Sequence, residues 1–393
     1  MSNTEARPAA QVCADGGLPG SQAECAGGAP VELITAREVP LGGPRAMTVH
    51  RTLPQRQRSL IGAWCFVDHY GPDDVSATGG MDVAPHPHTG LQTLSWLFEG
   101  AIAHIDSGGH AAPVRPGELN LMTAGAGICH SETSTTDTHV LHGVQLWIAL
   151  PEEVRHLPER RFEHFAPEPV PFAGGSALVF AGSLLGVSSP VQMHSPLVGA
   201  EIRLEPGAVL DAPVDPAFEH GLLVDAGEAV TLEGVRVPRR AVGYTGIGAA
   251  GLRIANSGGD AARLVLLGGE PFGEEIVMWW NFVGRSTEEI ARYRSEWEGG
   301  GERFGRVEGY AGHGGPGRNS EGMGRLPAPA LPQVTMRPRR NPPPHARAAE
   351  AQASAGGAAR PRQHGGSAET DRPAPVHDGT AGSPERNRGE DRP

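Results

Sequence analysis

Residues 80–92 read GMDVAPHPHTGLQ, and further on residues 117–132 read GELNLMTAGAGICHSE. Two pairs stand out, His86-Pro87-His88 and His130-Ser131-Glu132. In extended backbone, residues i and i+2 point to the same face. Each pair therefore presents two polar side chains to one side of a strand. A lone His-x-His is weak, because 17 His in 393 residues give roughly 0.7 such pairs by chance. Its plain alternative is two surface histidines. Pro87 removes a ladder donor and places its segment at a strand start or sheet edge, which suits the mouth of a barrel. The second pair follows a Gly-rich turn, and the first lies just past Gly79-Gly80. Three His and one Glu converging in a small barrel would make a mononuclear divalent-metal site with open positions. That donor set suits Fe(II), with Mn, Ni, Co or Cu as other occupants. His86, His88, His130 and Glu132 are thus the candidate ligands. Cys129 faces the other way in a strand and reads as a small buried apolar side chain.

Outward from this stretch, the chain breaks into short apolar segments punctuated by Gly and Pro. The 56 Gly and 36 Pro make up nearly a quarter of the chain, against roughly 12% in ordinary usage. Many short strands at close spacing point to all-β sandwiches or barrels. Two strand-rich blocks emerge, 31–150 and 171–314. Residues 151–170, rich in Pro and Glu, read as a linker, and residues 1–30 as a disordered leader. Ser286-Thr287-Glu288-Glu289 fits a capping box. Ile290, Tyr293 and Trp297 then recur on one face, which predicts a helix over 287–298, assigned to the second block. From Gly315 to Pro393 there is no Phe, Trp or Tyr, and the segment carries 12 Arg against 8 acids. It reads as a disordered tail, with Leu326–Met336 extended against the body and full disorder beyond Arg337.

Composition excludes several classes. The net charge is −12 and every basic residue is Arg, which argues against broad phosphate-backbone binding. No apolar window is long enough to span a membrane. The first residues lack the pattern of a secretory signal. Cys13, Cys25, Cys65 and Cys129 show no CxxC spacing and no disulfide framework. A cytoplasmic monomer with no direct nucleic-acid or membrane contact is expected.

The segment resembles the cupin metal motif. More closely, HPHTGLQTL, the Phe98-Glu99-Gly100 turn, Gly117-Glu118-Leu119 and MTAGAGICHSE are similar to the pirin family of two-cupin proteins. Leu146-Trp147-Ile148, Gly269-Glu270-Pro271-Phe272 and Met278-Trp279-Trp280-Asn281-Phe282 extend the resemblance over roughly residues 31–338. It implies two tandem jelly-roll-like barrels, the first binding iron through His86, His88, His130 and Glu132. Gln92 stands where the general cupin motif has a Glu, a departure that bears on the surroundings of the metal. The second block has only a lone His220 near the matching place and is expected to be a barrel without metal. His104, His110, His139 and His142 fall outside the metal pattern. One of them is a candidate hydrogen-bond partner of the site. Trp279-Trp280 are expected to close the interface between the barrels, and Arg337-Pro338-Arg339-Arg340 to be solvated.

The resemblance implies two functions of different class. One is a quercetin 2,3-dioxygenase-like oxidoreductase acting on a flavonol, with Glu132 as catalytic proton acceptor. The other is a metal- or redox-dependent regulator that binds a transcription factor or a metabolic enzyme. The composition looks bacterial, which favours the metabolic-enzyme version. A metal-dependent isomerase is a third possibility that no residue singles out.

Overall fold

The computed structural model describes residues 11–12, 31–41, 47–56 and 58–341. The expected leader, apart from residues 11–12, and the tail beyond 341 lie outside the described residues. Within them the chain forms two barrels, each a large antiparallel sheet facing a four-stranded one. In the first, the large sheet runs in the order 161–165, 119–123, 91–99, 140–149, 64–74, 47–53, 37–41. Its small sheet runs 82–88, 128–134, 102–106, 111–114. The second barrel repeats the plan. Its large sheet is built on 242–245, 219–226, 262–269, 197–204, 175–181 and 170–172, its small sheet on 209–213, 251–256, 230–232 and 235–236.

The two large sheets pack face to face, which explains the near-continuous apolar runs of their central strands. In Leu91–Glu99, Leu94 and Trp96 join the seam with Phe180, Leu223, Val265 and Leu267. Ser95, pointing the other way, donates to Glu132 inside the first barrel. Polar ties cross the seam where buried donors need partners. Trp96 Nε1 donates to Glu201 at 2.8 Å, Trp64 Nε1 to the Gly268 carbonyl at 3.1 Å, and the Gly62 amide to Glu219 at 2.6 Å.

Among the described residues, two segments pack across the block boundaries read from sequence. Glu32–Ile34 pairs with Val242–Tyr244 and so belongs to the second barrel. The hairpin Val277–Trp279/Phe282–Gly284 and the helix Thr287–Glu298 pack on the first barrel, in a cluster holding Cys129, Trp279, Trp280, Ile290, Tyr293, Trp297 and Phe304. The helix begins as expected, with the Ser286 hydroxyl accepting from the Glu289 amide at 3.2 Å. The expected linker contains an edge strand, Arg161–Phe165, paired along Leu119–Thr123.

Leu326–Met336 lies against the body, as expected, whereas the disorder expected on either side of it is corrected for 315–325 and 337–341. Leu326 donates its amide to the Pro85 carbonyl at 2.9 Å and accepts from Trp297 Nε1 at 2.8 Å. Arg339 bridges to Ile276, and the Asn341 side chain holds the backbone of Ser59 and Leu60. This segment needs no aromatic residue of its own, because the helix supplies the rings it covers. The strand Met47–Leu53 carries His50 and Arg51. Arg51 is tolerated there by an ion pair with Asp68 on the neighbouring strand. Among the described residues no helix is long and apolar enough to cross a membrane.

Candidate metal centre

The small sheet of the first barrel sets the site. His130 lies opposite His86, and Ile128 opposite His88. Between the His130–His86 and Glu132–Val83 pairs the strand 82–88 carries one extra residue, a bulge that changes which face its side chains meet. Gly90 closes the turn after His88 with φ +67°. A Cβ there would lie 2.4 Å from the Val283 carbonyl oxygen, so only glycine fits.

His86, His88 and His130 are buried, with donor atoms all within 4.8 Å of one another. His88 Nε2 and His130 Nε2 are 3.1 Å apart. Two nitrogens bound at about 2.1 Å to one metal sit roughly 3.0–3.4 Å apart for octahedral to tetrahedral angles. Neighbouring groups also fix the tautomers of His86 and His130. His86 Nδ1 donates to the Ala84 carbonyl at 3.0 Å, which leaves its Nε2 lone pair free. Asp106 accepts from His104 Nε2 at 3.3 Å, so His104 Nδ1 is an acceptor for His130 Nδ1 at 3.2 Å. His130 Nε2 is thereby left unprotonated and aimed inward.

Burial holds all three imidazoles in the neutral, ligating form. It pushes His86 down to about 3, and His88 and His130 well below their ordinary value. The donor set therefore fits a divalent cation. Glu132 lines the same cavity but stands outside the tight three-histidine group. Burial raises its pKa, and Ser95 donates to it at 3.3 Å. Burial also acts to raise Asp106, but the hydrogen bonds from His104 and His110 leave it below the usual carboxylate range.

The opposite wall comes from the large sheet. Phe66, Asp68 and Tyr70 alternate along one strand, and Phe66 and Asp68 lie opposite Trp147 and Gln145 of the next. Phe66 and Trp147 stack at 4.0 Å between ring centroids. Arg51 grips Asp68 through two hydrogen bonds of 2.6 and 2.7 Å, its guanidinium 4.3 Å from the Phe66 centroid. Trp280, Asn281 and Leu326, from the C-terminal segment, close a cavity of about 70 Å³.

Sequence reading missed this wall and roof. Phe66, Asp68 and Tyr70 do show a period of two, but nothing local says that their shared face meets the histidines. Trp280 was expected at the barrel interface and closes the metal cavity instead, because the C-terminal segment docks on the first barrel. Of the four histidines outside the metal pattern, His104 is the one that hydrogen-bonds a candidate ligand, as expected of one of them, and it orients His130. Gln92 donates to Thr123 at 2.9 Å and does not line the cavity. Cys129 faces the helix cluster, as expected.

His69, His142 and Asp225 form a second cluster, between the barrels. Both His Nε2 atoms lie 2.6 Å from the same Asp225 oxygen, and Arg263 Nε lies 2.6 Å from the other. These are hydrogen-bond distances to a carboxylate already neutralised by a guanidinium. Burial acts to raise the Asp225 pKa, but its donors hold it far below the usual range. The cluster is a tie between the barrels, and His142 belongs to it. His139 lies near the surface beside Ser76.

Fold and site together define a two-barrel cupin with a three-histidine centre in its first barrel. The Pirin family model matches residues 46–148, and the Pirin C-terminal cupin domain matches residues 199–305. A provisionally named quercetin 2,3-dioxygenase of Pseudomonas aeruginosa is 43% identical over 303 residues, covering 77% of this chain and 91% of the relative. A pirin-like protein of Caulobacter vibrioides is 34% identical over 276 residues, covering 68% and 93%. The crystal structure of a quercetin 2,3-dioxygenase from Acinetobacter baumannii superposes with a TM-score of 0.71 at 36% identity, covering 78% of this chain and 97% of that one. The chain belongs to the pirin family.

Proposed function

We propose that the protein is an Fe(II)-dependent oxidoreductase of the quercetin 2,3-dioxygenase type. The observation that carries this reading is three neutral imidazoles aimed at one point beside the stacked Phe66–Trp147 pair. His86, His88 and His130 hold the metal, with Glu132 as fourth ligand. A bound Fe(II) supplies Lewis acidity and exchangeable positions where substrate and O₂ meet. Glu132, once it loosens from the metal, accepts the proton of the flavonol 3-hydroxyl. The aromatic pair orients the planar rings, and Trp280 and Leu326 exclude water.

The cavity of about 70 Å³ is roughly half the 150 Å³ apolar cavity that encloses one benzene. A flavonol therefore extends into the mouth and displaces Leu326. The same closure favours a second reading, a metal-dependent regulator that turns over no large substrate. The two separate on O₂ uptake with quercetin by anaerobically purified, Fe(II)-loaded protein, beside a His88→Ala control. Flavonol-dependent uptake that vanishes in the control is expected. Full metal occupancy without uptake overturns the dioxygenase.

A further inference from the structure

Tyr70 places a fully buried phenol against the metal cavity, and its hydroxyl has no hydrogen-bond partner among the described residues. Several polar groups around it are already engaged. Both oxygens of Asp68 are taken by Arg51. Ser95 donates to Gln145 Oε1 at 2.9 Å and to Glu132 Oε1 at 3.3 Å. Arg51 Nη1 is also unpaired but does not line the cavity.

The ring has a packing role that does not involve the hydroxyl. It sits in an apolar cluster with Met47, Val49, Val75, Met81 and Leu97, where phenylalanine would serve as well. A buried hydroxyl without a partner is a net cost to the fold. Burial, with the Glu132 and Asp68 carboxylates nearby, pushes the phenol pKa far up. A phenol is protonated at neutral pH, so Tyr70 is a proton donor, and the cavity it lines is where an acceptor can reach it.

We propose that Tyr70 is a positioning residue whose hydroxyl donates to one oxygen of a ligand that offers a second, adjacent oxygen to the metal. The cavity would then select O,O-chelating ligands, of which the hydroxyl–carbonyl pair of a flavonol is one. This rests on the metal centre described above and deepens the dioxygenase reading without depending on turnover.

The test is Tyr70→Phe in full-length, Fe(III)-loaded protein, with acetohydroxamate as a small O,O-chelating probe. Metal content should be unchanged and the melting temperature equal or higher, since an unpartnered hydroxyl has been removed. Acetohydroxamate should bind roughly five- to tenfold more weakly, the loss of one hydrogen bond, with a shifted charge-transfer band. Equal affinity and an unshifted band would overturn the proposal, as would a clear drop in melting temperature. So would wild-type protein that binds no acetohydroxamate. Tyr70-dependent binding without quercetin-dependent O₂ uptake would leave the proposal standing while removing the dioxygenase.

Discussion

The two barrels have the same strand order in their small sheets and opposite contents. In the first, the strands 82–88 and 128–134 turn His86, His88 and His130 inward. In the second, the strands 209–213 and 251–256 put Leu210 opposite Ile254 and Ala212 opposite Leu252, all in its apolar core. One scaffold thus serves two ends. The second barrel fills its interior and lends a sheet to the seam. The first gives up apolar filling for Arg51, Asp68 and three histidines, polar groups that stabilise little when buried. The difference teaches that the chemistry lies in a few positions of a shared frame.

The sharpest way to break the comparison is to make the first barrel resemble the second. His86→Ala or His130→Ala should lose most bound metal while keeping the fold, measured by metal analysis beside circular dichroism. Stoichiometric metal in both variants would refute the site.

Cutting the tie between the barrels comes next. Asp225→Ala leaves His69, His142 and Arg263 without their shared acceptor. A loss of about 3 kcal/mol in denaturant unfolding is expected, the scale for removing one member of a buried charged group. A change well under 1 kcal/mol would mean that the tie carries no stability.

The pH response sharpens the contrast. His86 is held at about 3 in the folded chain against an ordinary 6.5. Between those values the unfolded chain binds a proton that the folded chain refuses. The metal-free protein should be at full stability above 6.5 and weaken as pH falls toward 3, with His88 and His130 adding in the same direction. His220 in the second barrel, pushed down to about 4, adds a single group of the same sign. In the His86→Ala variant the fall should be shallower. An identical pH profile would show that His86 does not titrate in this way.

The smallest effect expected is at the C-terminal segment. Asn341→Ala removes three hydrogen bonds to Ser59 and Leu60. About 1 kcal/mol is expected, read as a modest fall in melting temperature with metal content unchanged.

Much of the site was legible because it is local. His86-x-His88 and His130-x-Glu132 share a face through the twofold period of a strand, which holds before any tertiary contact forms. Ser286 and Glu289 cap a helix by the same kind of short-range rule, although the cluster that helix packs into has no local signal. Arg51 inside the strand Met47–Leu53 has no local explanation, since a buried charge is unfavourable until Asp68 arrives from the next strand. The missing aromatic residues suggest disorder on both sides of Leu326–Met336, because composition counts what a segment contains and not what it covers.

By itself the sequence determined that this is a chain of short strands with two paired donor motifs and one capped helix. These follow from backbone periodicity and from hydrogen bonds within a few residues. Only the tertiary structure decided which barrel owns Glu32–Ile34 and the helix. It also decided that Asp106 and His104 set the tautomer of His130, and that Tyr70, Trp280 and Leu326 surround the cavity. Those contacts join residues far apart in the chain. They depend on strand register and on which face meets which, and neither has a signature within any one segment.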